Sequence, residues 1–190
     1  MPADVIPLPT YTTCQSLLDA HLAELQNRFG MATWMITRLS GEDLILLRVR
    51  DGHYGLQRGE RLQWQNSYCV RMVEVGEPRI TTDVSTDPDD QFASLNHSLD
   101  IGAYIGLPLV DSDNRLFGTL CAMDPQAQPA DLANALPSLT HEAALISFLL
   151  NNAVREAREK RLTTFVEHPD RCDDTGLPGR KGWEDFFFFF

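Results

Sequence analysis

Residues 101–125, IGAYIGLPLVDSDNRLFGTLCAMDP, constrain the fold of this chain more than any other stretch. Two almost wholly apolar runs, residues 103–110 and 116–123, flank a short polar segment at residues 111–114. Asp and Asn tolerate left-handed backbone and close tight turns with their own side chains, so this pattern predicts a β-hairpin. Because neither run alternates strictly between apolar and polar residues, we expect both strands to be buried on both faces, at the centre of a sheet.

Three residues inside these runs modify the predicted strands. Gly106 and Gly118 remove side chains, which allows a bulge or the close approach of another backbone or a ligand. Pro108 has no N–H to donate, so its donor side must lie at a bulge or remain unpaired. The residues expected to be nearly fully buried in the central strands are Leu107, Leu109, Leu120 and Ala122.

Composition excludes several classes of protein. The 190 residues carry a net charge of −11 and are 43% hydrophobic, enough for one core but unfavourable for binding nucleic acid or an anionic membrane. The N-terminus has no basic, apolar signal peptide, and no window approaches the length of a membrane span. Cys14, Cys69, Cys121 and Cys172 are widely spaced and form no C-x-x-C pair. We therefore expect free thiols and a cytoplasmic location.

Periodicity and stop signals predict the remaining elements. Residues 56–65 are ambiguous between a short strand and a loop, and residues 92–99 are compatible with a short helix. The order of elements indicates an α+β fold, an antiparallel sheet with the terminal helices on one face and short middle elements on the other. The other predicted elements are a helix from Thr12 or Thr13 to Phe29 that ends at Gly30, strands at residues 31–39 and 44–50, a helix at 68–75, an edge-like strand at 78–84, and a helix at 130–164 with a break or kink at Pro137.

Four segments of the chain resemble the GAF domain of bacterial signalling proteins. They are residues 34–39 (WMITRL), 67–84 (SYCVRMVEVGEPRITTDV), 101–109 (IGAYIGLPL) and 116–125 (LFGTLCAMDP). The resemblance covers about residues 14–160. It implies the GAF fold, a small-ligand cavity between the sheet and the middle segment, a long C-terminal signalling helix and a sensory role in a multidomain protein.

Residues 175–183, TGLPGRKGW, resemble the opening of a GGDEF diguanylate cyclase domain. Cys172 and Asp174 depart from that family's pattern, and the GGDEF signature and metal-binding carboxylates are absent. The resemblance implies a link to cyclic-di-GMP signalling, but not an enzyme, and the chain is expected to be a truncated or frame-shifted product. The expected divisions are an extension at 1–13, a sensory domain at 14–160, and a linker with the truncated opening at 161–190. The tail after about residue 167, with its final run of five phenylalanines, is expected to be exposed and prone to self-association.

The resemblance implies a ligand cavity lined by the inner face of the sheet, the short helix and the middle loop. Aromatic rings with a few polar groups suit an unknown small organic molecule, although the same residues also suit plain core packing. No cofactor and no metal are expected. The candidate ligand-binding residues are Trp34, Tyr68, Cys69, Phe92, Asn96, Tyr104 and Cys121.

The sequence gives less support to other kinds of functional site. Some GAF proteins reduce free methionine sulfoxide with cysteines, but residues 94–97, SLNH, contain no thiol to pair with Cys69, which is expected to be inert and buried. No Cys-His pair suits a bilin, and no cyclic-nucleotide pattern is present. The five histidines show no metal-ligand spacing, and the loop with Asp87, Asp89 and Asp90 lacks the Gly and distal Glu of a calcium loop.

The long C-terminal helix carries more apolar residues than one sheet face can use. A helix that is apolar all round is buried on all sides, so we expect a parallel homodimer through the first and last helices that continues as a coiled coil. The alternative is a monomer whose bent helix hides these side chains. The residues on which the prediction depends are Leu145, Ile146, Phe148, Leu149, Leu150 and Val154.

Overall fold

The structure, a computed structural model, describes residues 11, 13–75, 79–86 and 99–167, without the side chains at 66, 71, 73–75, 79 and 161–167. Three α-helices and six strands lie in these ranges, with 3₁₀ turns at Trp64–Asn66, Val84–Thr86 and Ala130–Ala135. In chain order they are α1 (Cys14–Phe29), β1 (Thr33–Ser40), β2 (Asp43–Asp51), β3 (Arg61–Gln63), α2 (Tyr68–Val75), β4 (Arg79–Thr81), β5 (Ala103–Val110), β6 (Leu116–Asp124) and α3 (Leu136–Glu167).

The strands form one antiparallel sheet in the order β3-β2-β1-β6-β5-β4. The predicted central hairpin is confirmed: β5 pairs with β6 along its whole length, and both strands are internal. Its turn uses the expected chemistry, because the Asp111 carboxylate accepts hydrogen bonds from the amides of Asp113 and Arg115, and Asn114 is left-handed with φ 59°. The four residues expected in the core are all 1% exposed or less: Leu107, Leu109, Leu120 and Ala122.

Helix α1 begins and ends where local signals predict. The Thr13 side chain accepts a hydrogen bond from the amide of Ser16 at 3.1 Å, which caps the helix N-terminus. Gly30 ends the helix with φ 72°, a conformation that costs glycine little. The prediction of this helix is therefore confirmed.

Helix α1 and the first part of α3 lie on the same face of the sheet. Glu142 of α3 forms ion pairs with His21 at 3.2 Å and with Arg28 at 2.9 Å, both on α1. The Ser147 hydroxyl of α3 accepts a hydrogen bond from the amide of Val110, at the end of β5. The predicted placement of the terminal helices is confirmed, and the opposite face remains for α2 and the segments around it.

A bulge in β2 sends its side chains to different faces of the sheet. Ile36 pairs with Arg48 whereas Thr37 pairs with Leu46, so Leu47 is the extra residue. After the bulge, Arg48 approaches Asp19 of α1 at 3.4 Å. Before it, Leu46 lies in the cluster of buried residues on the α2 face. Strand β2 therefore contributes side chains to both faces of the sheet.

Asp51 holds the loop that leads from β2 towards β3. Its carboxylate accepts hydrogen bonds from the amides of Tyr54, Gly55 and Leu56 at 3.0, 2.6 and 3.1 Å and from the Thr33 hydroxyl. Partial burial opposes ionisation of the carboxyl, but these hydrogen bonds outweigh it and lower the pKa of Asp51. The anchored loop fixes where β3 joins the edge of the sheet.

Some of the other predictions are tested by the structure, and others concern residues that it does not describe. Within the ambiguous stretch at residues 56–65, Arg61–Gln63 form β3, and the predicted edge strand is β4. The predicted helix at 130–164 is broken after the 3₁₀ turn Ala130–Ala135, and Pro137 lies in the first turn of α3. Residues 92–98 of the possible short helix, the cyclase-like segment at 175–183 and the phenylalanine run lie outside the described residues. The chain divides into two compact units, Met1–Phe148 and Leu149–Phe190. In the described part of the chain, no helix has the length and hydrophobicity to cross a bilayer.

Candidate functional site: a cavity with two buried thiols

A cavity of about 240 Å³ lies between the sheet and the beginning of α2. Its walls are mainly apolar, and Met35, Ile101 and Met123 among them are buried. Arg61 and Gln63 of β3 also line it and are exposed, so the cavity reaches the surface beside β3. The lining residues are Met35, Thr37, Leu44, Arg61, Leu62, Gln63, Ser67, Tyr68, Cys69, Leu99, Ile101, Tyr104, Cys121 and Met123.

The inner end of the cavity carries a connected polar cluster, which we call the dithiol cluster: Cys69, Tyr104, Thr119 and Cys121. The sulfur atoms of Cys69 and Cys121 are 3.1 Å apart. The Tyr104 hydroxyl lies 3.1 Å from the Cys69 sulfur, and the Thr119 hydroxyl lies 2.9 Å from the Cys121 sulfur. All four residues are at most 4% exposed, so these contacts are shielded from bulk water.

Strand periodicity explains why these groups converge. Thr119, Cys121 and Met123 alternate along β6 and therefore share one face. Tyr104 of β5 points to the same side, where its ring stacks on that of Tyr68 with centroids 4.9 Å apart. Gly106 makes room for Tyr104, because a Cβ atom there would lie 2.4 Å from the phenol oxygen. The local sequence thus places two thiols side by side at the inner end of the cavity, next to the hydroxyl of Tyr104.

The two thiols differ in acidity. The hydrogen bond with Cys121 is the largest influence on Cys69; with further bonds from Thr119 and Tyr104 it outweighs burial and lowers the pKa of the Cys69 thiol. Burial raises the pKa of Cys121, and proximity to Cys69 adds to the effect. Burial likewise raises the pKa of Tyr104. Of the three groups, Cys69 is therefore the one that ionises most readily.

Four of the seven candidate ligand-binding residues line the cavity: Tyr68, Cys69, Tyr104 and Cys121. Trp34 does not, and its assignment to the cavity is wrong. It neighbours Met35 on β1 and so points to the other face, where it is fully buried and its indole N–H donates to the carbonyl of Gly30 at 3.2 Å. Phe92 and Asn96 lie outside the described residues.

Among the site residues that sequence reasoning missed are two buried threonines, and it also missed one pairing of thiols. Thr37 and Thr119 are fully buried neighbours whose hydroxyl oxygens are 2.7 Å apart. Thr119 was detectable, since it precedes Cys121 by two positions on the same strand. Residues 94–97 offer no second thiol, but the structure brings Cys121 to Cys69.

The described residues contain no group of three or more His, Cys, Asp or Glu side chains that could hold a metal ion. Asp87, Asp89 and Asp90, which the sequence analysis considered as oxygen ligands, lie outside the described ranges. The groups that line the cavity are thiols, hydroxyls and apolar side chains, with the Arg61 guanidinium and the Gln63 amide at its opening.

Comparison with known proteins gives a family match. A family model described as "GAF domain" matches residues 13–153. No family match to a cyclase domain follows it in the chain. A comparison with curated proteins found no match.

Several solved structures are similar to this chain. A free methionine-R-sulfoxide reductase from Neisseria meningitidis, in complex with its substrate, is 22% identical with a TM-score of 0.59 over 77% of this chain and 83% of that one. The blue-light absorbing PixJ GAF domain of Thermosynechococcus elongatus is 15% identical with a TM-score of 0.62 over 82% and 94%. The GAF-B domain of DevS from Mycobacterium smegmatis is 16% identical with a TM-score of 0.59 over 77% and 99%. At these identities the similarity establishes the fold.

Proposed function

The chain belongs to the GAF domain family, and on this premise we propose that it is a non-enzymatic sensory module that binds a small organic molecule in the cavity beneath α2. The observation that carries the proposal is the cavity itself, which combines apolar walls with a few convergent polar groups at its inner end. Its volume of about 240 Å³ is below the roughly 300–1,000 Å³ of sites for drug-sized ligands, which favours a smaller, metabolite-sized molecule.

The polar groups suggest how a ligand would be oriented. Its apolar body would contact Met35, Leu44 and Met123, while a polar group would meet the hydroxyl of Tyr104 or the thiols. Arg61 at the mouth is paired with Asp43 at 3.1 Å, so its charge is partly neutralised. These features favour a neutral or weakly polar ligand over a strongly charged one.

Ligand binding is tested with a pair of matched variants. Leu56 and Leu62 are both half-buried and pack against the same core cluster, but of the two Leu62 lines the cavity. A ligand identified by native mass spectrometry of protein from its own host, or by a metabolite screen, is expected to raise the melting temperature by roughly 5–10 °C at a hundredfold excess over Kd. Leu62→Trp should abolish this shift because the indole fills the mouth, and Leu56→Trp should retain it.

Two outcomes would contradict the ligand proposal. One is a shift that survives unchanged in folded Leu62→Trp protein, which would place the ligand elsewhere. The other is the absence of both a retained molecule and a thermal shift across a broad metabolite set. Circular dichroism of each variant provides the control for folding.

We further propose that α3 transmits the signal to an output domain. The support is a single continuous helix from Leu136 to Glu167, followed in sequence by the segment at 175–183 that resembles the opening of a diguanylate cyclase domain. A helix that leaves a sensory domain in this way can couple ligand-dependent changes at its base to a following domain. The output would then be synthesis of cyclic di-GMP by a cyclase domain.

Homodimerisation through the terminal helices is part of the same proposal. Leu145 and Phe148 on α3 are 47% and 63% exposed, and they lie one turn apart on the same side of the helix. Exposed large apolar residues in this arrangement favour contact with a second copy. Leu149, in contrast, is half-buried, which makes Phe148 the better residue for a test.

Phe148→Glu is expected to convert a dimer to a monomer at micromolar concentration, since it would bring a charge into the apolar contact. Analytical ultracentrifugation measures the change, and thermal unfolding should show an intact sheet. Gln57→Glu, which adds the same charge at an exposed loop position, should leave the dimer unchanged. Sedimentation of the unaltered protein as a monomer would refute the proposed dimer.

A second candidate function is thiol-dependent reduction of free methionine sulfoxide. The 3.1 Å approach of the Cys69 and Cys121 sulfurs supports it, because two thiols can supply the two electrons that the sulfoxide needs. The similarity to the Neisseria reductase adds only a shared fold at 22% identity. Formation of methionine over many turnovers, with dithiothreitol as reductant, would establish this activity; the sensor proposal expects none.

A further inference from the structure

We propose that Cys69 and Cys121 are a reversible dithiol–disulfide site, oxidised by a small hydroperoxide that enters the cavity. The inference goes beyond the sensor function, because it requires no organic ligand and no output domain. It begins from geometry: the two sulfurs are already 3.1 Å apart, and a disulfide bond requires about 2.0 Å.

Cys69 is the sulfur expected to react first, because it lies in the first turn of α2, where the helix N-terminus favours a thiolate, whereas Cys121 lies in a strand. Its sulfur lies 3.1 Å from the thiol of Cys121, 3.1 Å from the hydroxyl of Tyr104 and 3.4 Å from the hydroxyl of Thr119; the same two hydroxyls lie 3.5 and 2.9 Å from the sulfur of Cys121. Hydrogen bonds to a thiolate stabilise it, and the thiolate is the nucleophilic form. Burial and the nearby Cys69 raise the pKa of the Cys121 thiol, so Cys121 is assigned the role of resolving partner.

An oxidant can reach this sulfur through the cavity. Cys69 and Cys121 both line it, and the exposed Arg61 and Gln63 mark its opening. A volume of about 240 Å³ admits hydrogen peroxide or a small organic hydroperoxide, whereas bulky disulfides are excluded. The two thiols are thus buried within the fold but accessible to small molecules, unlike thiols enclosed in a closely packed core.

The chemistry balances in two steps. The Cys69 thiolate attacks the hydroperoxide, an S–O bond forms, the O–O bond breaks, and the alcohol or water leaves after taking up a proton. Cys121 then attacks the Cys69 sulfenic acid; the S–S bond forms, the S–O bond breaks, and water leaves with the proton of Cys121. Overall, two thiols and one hydroperoxide yield one disulfide, one alcohol or water, and one water. A cellular dithiol reverses the reaction by thiol–disulfide exchange.

The disulfide would change the protein as well as the cavity. It would link α2 to β6 and close a loop of more than fifty residues. Cross-links that close long loops restrict the unfolded chain, so we expect oxidation to raise the melting temperature by roughly 5–10 °C. The same bond would remove two hydrogen-bonding thiols from the inner end of the cavity.

The test uses the full chain with Cys14 and Cys172 replaced by serine, so that two thiols remain. Reduced protein is treated with hydrogen peroxide at neutral pH, quenched by alkylation and analysed by peptide mass spectrometry. We expect a linked Cys69–Cys121 peptide, about 2 Da lighter than its reduced parts, and full reversal with dithiothreitol. The melting temperature should rise and fall in step with this bond.

Single variants assign the roles of the two sulfurs. Cys121→Ser should accumulate a sulfenic acid at Cys69, trapped by dimedone, whereas Cys69→Ser should leave Cys121 unreactive under the same conditions. Tyr104→Phe keeps the ring but removes a hydroxyl from Cys69, and should slow oxidation about tenfold. If a serine variant fails to fold, the corresponding alanine variant and the Tyr104→Phe rate keep the assignment testable.

Three results would overturn the proposal. They are peroxide consumption without a Cys69–Cys121 link in folded protein, a link only between different chains, and equal reactivity of Cys121 in the absence of Cys69. None of these measurements involves an organic ligand, so a result that overturns the disulfide proposal leaves the sensor proposal unaffected. Conversely, loss of the ligand-induced shift in Leu62→Trp does not bear on the disulfide.

Discussion

Leu120→Ala is expected to lower the free energy of unfolding by about 2–5 kcal/mol, the range for large-to-small changes in a closely packed core. Leu120 is fully buried on β6, and its two cross-strand neighbours are Ile36 of β1 and Leu107 of β5. Removal of its isobutyl group leaves a void that three paired strands cannot collapse to fill. Urea unfolding followed by circular dichroism measures the loss.

The same strand offers a control for this change. Leu116 begins β6 and is only half-buried, so Leu116→Ala should cost about 1 kcal/mol or less. A loss below about 1 kcal/mol at Leu120 as well would contradict the central position assigned to the hairpin.

Gly118→Ala is expected to be equally damaging for the opposite reason, a lack of space. A Cβ atom at this position would lie 2.0 Å from the carbonyl oxygen of Thr37 and 2.8 Å from the Cα of Arg38. Both are backbone atoms of β1, so the conflict can be relieved only by separating two central strands. We expect a loss of about 3 kcal/mol, at the upper end of typical overpacking effects, in the same unfolding measurement.

Gly52→Ala is the matched glycine control. There the nearest atom to an added Cβ is the carbonyl oxygen of Ala32 at 3.1 Å, so a shift of a few tenths of an ångström relieves the contact. Its cost should be clearly smaller than that of Gly118→Ala. Similar losses at both sites would show that the replacement of a glycine by alanine in general, not the approach of Thr37, determines the effect.

Local rules were sufficient wherever a single residue dictates the backbone. Thr13 and Gly30 mark the ends of α1, and the Asp–Asn turn marks the central hairpin, because capping and turn chemistry act within a few residues. The three-residue strand β3 was ambiguous because periodicity cannot be measured over so short a segment.

The error at Trp34 has a different origin. Thr33, Trp34, Met35, Ile36 and Thr37 are all buried, so the strand lacks the alternation that would show which side chains face the cavity. Assigning a face then requires the cross-strand register, which the sequence of one strand does not contain.

The meeting of Cys69 with Cys121 was beyond sequence reasoning for a related reason. One residue lies on a helix and the other on a strand, fifty-two positions later, and no local signal connects them. Their contact depends on how α2 packs against β5 and β6. Gly106, by admitting the ring of Tyr104, contributes to that packing from a third element.

The pairing of β1 with β6 has a consequence for folding while this protein is synthesised on the ribosome. Ile36 finds its partner Leu120 only after more than eighty further residues have been synthesised. At typical translation rates of about 5–20 residues per second, the apolar edge of β1 remains open for seconds, long after the β1–β2 hairpin can form. During that interval the nascent chain presents a row of unpaired amides and carbonyls beside Trp34 and Ile36, a surface suited to chaperones and vulnerable to aggregation.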